Sequence, residues 1–126
     1  MSQSEDQFKA LEKLSGKTGV TIMKDLKSVF PDLSDLSTKL HEEIYTRDIL
    51  DLKQQEIITL SVLLAQGNTE SAFKFHINAA LHAGLSKEEI FEIIYHCAPY
   101  VGFPRAINGV YAAYDIFVEN GLVPNK

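Results

Sequence analysis

The stretch KQQEIITLSVLLAQGNTESAFKFHINAALHAG, residues 53–84, decides the fold. Its first half carries Ile57, Ile58, Leu60, Val62, Leu63, Leu64 and Ala65, which fall on nearly every face of a helix. A helix that is apolar all round is buried on all sides. A chain of 126 residues has little material to cover it with, so a second subunit is expected to help. Gly67 and Asn68 break this helix. The segment after them is rich in small residues. Helical spacing puts Ala72, His76, Ala79 or Ala80, and Ala83 on one face. Small side chains let helices approach closely. Gly84 stands where a left-handed C-terminal cap belongs. The two halves therefore form an antiparallel helical hairpin.

Helical signals continue on both sides. Upstream, residues 7–14 suit a short helix ended by Gly16, and Thr18 can cap a second over 19–30. Pro31 has the fixed φ that opens a third, running to about Thr46, with a link over 46–52. Downstream, Ser86-Lys87-Glu88-Glu89 is a capping box. The helix it starts passes through Ile90, Ile93, Ile94 and Cys97 and is disturbed at Pro99 and Gly102. Pro104 begins the last helix, which ends near Asn120 with Gly121 beyond it. No segment alternates like a strand. The expected fold is all-α, a single domain over 1–126 of about six or seven helices around a central hairpin.

Composition narrows the function classes. Net charge is −5, from 12 basic and 17 acidic residues, and the basic ones are scattered. Nucleic-acid binding needs a clustered positive footprint, so it is not expected. One cysteine, Cys97, cannot form an internal disulfide. Residues 1–9 are polar and do not look like a leader. No apolar run reaches the roughly 20 residues a membrane span needs. The protein is expected to be soluble and cytoplasmic, without a membrane partner.

Three ionisable residues stand where an apolar one would be unremarkable. Glu56 shares a face with Leu60 and Leu63, His76 sits in the small-residue stripe, and His96 adjoins the next apolar stripe. Folding the hairpin about residue 67 or 68 sets His76 opposite 59 or 60, one helical turn from Glu56. A carboxylate beside an imidazole fixes its tautomer and suits it to proton transfer. Each also has a plain reading: Glu56 suits the early turns of a helix, and a histidine on an apolar face is commonly a hydrogen-bonded core residue. His41 and His82 fall near helix ends and read as solvated. Cys97 reads as a small buried hydrophobe, since the adjacent His96 points about 100° away around the helix. No two of Glu56, His76 and His96 have the spacing that presents a metal-ligand pair from one helix, so no metal is expected. Arg105 falls in the first turn of the last helix, where the dipole disfavours a cation. An anionic ligand would explain it, as would simple surface exposure.

The stretch from Thr46 to Asn108 resembles the carboxymuconolactone decarboxylase family. It contains Thr46-Arg47, then Glu56-Ile57-Ile58-Thr59-Leu60, Phe75-His76-Ile77-Asn78-Ala79-Ala80, Gly84-Leu85-Ser86-Lys87-Glu88-Glu89-Ile90, and His96-Cys97-Ala98-Pro99-Tyr100-Val101-Gly102-Phe103-Pro104-Arg105-Ala106. Half the chain matches, with order and spacing kept. The resemblance implies an alkylhydroperoxidase-like all-α bundle assembled as trimers or hexamers. It implies decarboxylation of a small carboxylated lactone without a cofactor. The related alkylhydroperoxidases use a Cys-x-x-Cys pair ahead of a histidine. With that histidine at His76, the cysteine positions hold Thr69 and Ala72, so the dithiol relay is missing.

The leading expectation is a lyase in which His76 donates a proton and Glu56 orients it. His96 would be a second acid–base or anion-binding group, and Arg105 a carboxylate clamp. Two rivals stay open. One is redox chemistry at Cys97. The other is a non-catalytic oligomer that binds small acids.

Overall fold

The computed structural model describes residues 3–125, with side chains from residue 8 onward. Residues 1–2, the start of the segment that does not look like a leader, lie outside the described residues. Among the described residues six helices follow one another: α1 (Gln3–Val29), α2 (Pro31–Tyr45), α3 (Leu52–Gln66), α4 (Glu70–Ala83), α5 (Lys87–Val101) and α6 (Phe103–Glu119). No strand occurs among them. The expected all-α bundle is what forms, and α3–α4 is its central hairpin. α3 packs on α4, α5 and α6, while α4 also meets α1 and α6. None of these helices is long and apolar enough to cross a membrane.

Local chemistry fixes the helix ends. The Ser86 Oγ accepts from the Glu89 backbone N–H at 3.0 Å, and the Glu89 carboxylate takes the Ser86 N–H at 2.9 Å. A second capping box starts α3: the Asp51 carboxylate accepts from the Gln54 N–H at 2.8 Å, and Gln54 Oε1 from the Asp51 N–H at 2.9 Å. Two orphan donors are satisfied at each start. Gly84 is left-handed at φ 104°, as its position after α4 requires.

Two expectations change in detail, but Gly16 behaves as expected: at φ 77° and ψ −179° it is non-helical and separates two helical runs within α1. His82 is not merely solvated there, since its Nε2 hydrogen-bonds the Lys13 carbonyl at 3.0 Å and ties α4 to the bend. Pro99 does not interrupt α5, which continues to Val101. The hydrogen bond that Pro99 cannot donate would go to the carbonyl of Tyr95, an exposed residue. Water can take that bond instead.

The main core gathers Leu60, Leu64, Phe73, Ile77, Ile90, Ile94, Ile116 and Phe117 from the last four helices. A smaller one, Leu11, Val20, Met23 and Phe75, fastens α1 to α4. α3 buries only the stripe Glu56, Leu60 and Leu64 within the chain. Ile57, Ile58 and Val62 remain 38%, 49% and 54% exposed, so the chain by itself does not bury α3 on all sides.

α2 is turned the unusual way. Its inward residues are polar, with Ser34 and Thr38 buried, while Leu33, Leu36, Leu40 and Ile44 face out. Ser34 Oγ donates to the Met23 carbonyl at 2.8 Å, which docks α2 on α1. This polar inner face positions the site described next.

Candidate functional site

Three helices meet around His76. α4 supplies His76 and Phe75, α3 supplies Glu56 and Thr59, and α2 lays His41 and Tyr45 across them. The three-residue turn 67–69 brings α4 straight back along α3. His76 Nδ1 consequently lies 2.9 Å from Glu56 Oε1, both side chains more than nine-tenths buried. The carboxylate accepts, so Nδ1 carries hydrogen and Nε2 is left as the exchangeable nitrogen.

That Nε2 faces another ring. His41 Nε2 stands 3.4 Å away, with the two imidazoles stacked at 14° between planes. His41 Nδ1 donates to the Ser37 carbonyl at 2.8 Å. With both Nδ1 hydrogens engaged, two neutral rings would set lone pair against lone pair across the gap. One added proton converts that repulsion into a hydrogen bond. Burial lowers the pKa of His41; the Ser37 bond opposes this, the charge of His76 adds to it, and Glu56 again opposes it.

Tyr45 closes the other side. Its ring stacks on His41 and on His76, with centroids 5.6 and 6.0 Å apart. Thr59 donates its hydroxyl hydrogen to the Gln55 carbonyl at 3.1 Å, so the Tyr45 hydroxyl must donate to Thr59 Oγ1. Burial, helped by the charge of Glu56, pushes the Tyr45 pKa up to about 12, against the Thr59 bond. Tyr45 therefore stays protonated at neutral pH, with its hydrogen directed to Thr59 Oγ1.

The structure brings Glu56 and His76 together, and it leaves His96 and Arg105 elsewhere. His96 is exposed on α5 and stacks on Tyr100. It lines a groove with Ile57, Ser61, Glu89, Glu92 and Cys97. Among the described residues it makes no hydrogen bond or ion pair. Cys97 is half-buried there and carries no disulfide. Arg105 lies across the α3–α4 turn, its Nε 2.6 Å from where a Cβ on Gly67 would stand. It borders a cleft of about 450 Å³ with Asn68, Thr69 and Asn108. Neither cleft is lined by Glu56 or His76.

His41, Tyr45 and Thr59 were not foreseen. The signal that could have found the first two is the α2 stripe Ser34, Thr38, His41, Tyr45, a polar row at helical spacing. Among the described residues no group of three or more His, Cys, Asp or Glu is placed to hold a metal ion.

Comparison with known proteins adds kinship to this geometry. The model of the carboxymuconolactone decarboxylase family matches residues 31–115. The chain is 32% identical over 84 residues to the 4-carboxymuconolactone decarboxylase of Acinetobacter baylyi, covering 67% of this chain and 62% of that protein. It is 31% identical over 72 residues to an uncharacterized protein of Methanocaldococcus jannaschii, covering 57% of this chain and 69% of the other. With an uncharacterized 15.0 kDa protein of Paracoccus denitrificans it shares 24% identity over 99 residues, 77% and 74% of the two lengths. All of α2–α5 and most of α6 fall within the family match, so His41, Tyr45, Glu56 and His76 all lie inside it.

Proposed function

The chain belongs to the carboxymuconolactone decarboxylase family, and from that premise we propose that it is a cofactor-independent lyase that removes CO₂ from a small organic acid by acid–base chemistry at His76. The observation that carries this reading is the buried 2.9 Å bond between His76 Nδ1 and Glu56. A compact carboxylated lactone is the first substrate class to test, since the similar Acinetobacter baylyi protein is named a 4-carboxymuconolactone decarboxylase.

In such a reaction the bond from the carboxylate carbon to its neighbour breaks. CO₂ departs, and the electron pair passes into the adjoining carbonyl system. The carbon left behind must then take a proton. In this reading the proton delivered comes from His76 Nε2, and His41 Nε2 stands 3.4 Å from that atom. Glu56 holds the Nδ1 hydrogen and stabilises the imidazolium, which keeps Nε2 as the exchanging atom. His41, the less buried of the two rings, restores the proton. Tyr45 donates a hydrogen bond and takes no proton away. Within one chain His96 and Arg105 line other clefts, so the steps above are written without them.

The test is CO₂ release from γ-carboxymuconolactone by the wild type beside His76→Ala. Release that disappears in the variant supports the lyase and its central residue. No release by a folded wild type moves the reading to a small-acid-binding module without catalysis.

We also propose that the protein works as a homo-oligomer, a trimer or hexamer. The outward stripe Leu33, Leu36, Leu40 and Ile44 on α2 supports this. Each such side chain is about half-exposed, so it forgoes roughly half of the 1.5–3 kcal/mol of full burial. Light scattering at micromolar concentration tests it, and a monomer there would rule it out.

A further inference from the structure

The link between α2 and α3 forms a second wall outside the His76 nest. A pocket of about 370 Å³ opens there, lined by Ile44, Ile49, Leu50 and Ile58 together with Tyr45, Arg47, Gln55 and Thr59. The volume falls in the range that holds small ligands, about 300–1,000 Å³. Tyr45 and Thr59 belong both to this pocket and to the acid–base nest. The Tyr45 ring stacks on His76, so a molecule in the pocket lies one ring away from that imidazole.

The lining has a definite chemical character. Four aliphatic side chains form its body, and Arg47 is its single cation. Among the described residues no carboxylate pairs with Arg47. The nearby Asp51 carboxylate is already engaged by the capping box of α3. The link that carries Arg47 is braced, because Gln55 Nε2 donates to the carbonyls of both Ile44 and Arg47, at 3.3 and 3.4 Å. Tyr45, held protonated, adds a neutral hydroxyl to the wall.

We infer that this pocket is the acid-binding site, that Arg47 is the group that holds a substrate carboxylate, and that the aliphatic wall takes the apolar part of the substrate. The inference rests on the lyase reading for what happens next, but the site itself is testable without turnover. A guanidinium pairs with a carboxylate by charge-assisted, often bidentate hydrogen bonds. The pocket therefore discriminates against neutral analogues, which cannot form that pair.

The experiment is calorimetric titration of the full chain with hexanoate and its neutral amide hexanamide. Hexanoate is expected to bind about tenfold or more tighter than the amide. Arg47→Gln should weaken hexanoate by about tenfold or more, with Arg47→Lys recovering part of the loss because it keeps the charge. Arg105→Gln and His76→Ala should each leave hexanoate affinity within about threefold of wild type. Arg47 is exposed, so its substitution does not threaten the fold, and melting curves of each variant check this.

Equal binding of hexanoate by the wild type and Arg47→Gln overturns the inference. So does loss of binding in Arg105→Gln, which would put the acid in the other cleft. So does the absence of saturable binding together with dissociation of an oligomer by Ile49→Asp, which would make these aliphatics an interface between copies. Arg47-dependent binding beside CO₂ release that ignores His76→Ala would leave this site standing and remove the lyase mechanism.

Discussion

Two regions of this protein hold almost the same ingredients and differ in everything that matters for chemistry. The nest between α2, α3 and α4 contains a glutamate, two histidines and a tyrosine. The groove between α3 and α5 contains two glutamates, His96 and Cys97, with Tyr100 stacked on His96. In the nest the carboxylate and imidazole are buried and bonded at 2.9 Å. In the groove the histidine is exposed, with no ion pair among the described residues. Water screens exposed charges and leaves each side chain free to turn. Burial removes the screening and makes partner choice compulsory, because a buried polar group without a partner is costly. Residue type proposes a site, and desolvation with a fixed partner makes one.

The sharpest way to break this contrast is to remove one histidine from each region. His76→Ala is expected to lower turnover by roughly 10²–10⁴, the usual contribution of a positioned acid or base. His96→Ala should change it by less than about threefold. Steady-state CO₂ release measures both, and equal losses would dissolve the distinction.

The shared helix α3 offers the next comparison, since Leu60 lies one turn beyond Glu56 in the buried stripe while Ile57 looks into the groove. Leu60→Ala should cost about 2–5 kcal/mol through the cavity it leaves. Ile57→Ala should cost less, about 1–2 kcal/mol, because that side chain is already 38% exposed. Urea unfolding midpoints give the two numbers.

A smaller effect follows from Glu56→Leu, which strands the His76 Nδ1 hydrogen in an apolar site. Unfolding free energy should fall by about 1–3 kcal/mol, and Glu56→Gln, which keeps an acceptor, should recover most of it. Equal stability of wild type and Glu56→Leu would mean that the bond contributes nothing to the fold.

The smallest expected effect concerns pH. Burial holds the His41 pKa below its ordinary 6.5 in the folded state. The unfolded chain therefore takes up the proton first as pH falls. Stability from this group is fully present above about 6.5 and is lost progressively as pH drops below it. His41→Gln should flatten that decline, whereas His96→Gln should not. Melting temperatures from pH 7.5 to about 5 decide this, and parallel curves for wild type and His41→Gln would contradict it.

Several of these features were legible in the sequence. The Ser86 box, the Gly67-Asn68 break and the Gly84 cap mark helix ends through interactions reaching only a few residues. Hairpin arithmetic then placed Glu56 within a turn of His76, because a tight turn leaves two helices little choice of register. His41 was misread because its role depends on a contact 35 residues away. Arg105 looked like a substrate clamp from its place in α6, but it borders a different cleft from the one next to His76. Arg47 entered only as part of the family resemblance, because a short link carries no periodicity to assign it a role.

The sequence by itself determined the helices, their caps and the central hairpin, and set Glu56 within about a turn of His76. These follow from backbone hydrogen bonding, side-chain periodicity and a turn of 3 residues between α3 and α4. Only the tertiary structure decided which face of α2 turns inward. An amphipathic helix records that it has two faces and not what each will meet. Here α1 and α4 offer α2 the Met23 carbonyl and the His76 ring, so the polar row is buried and the leucines are left outside.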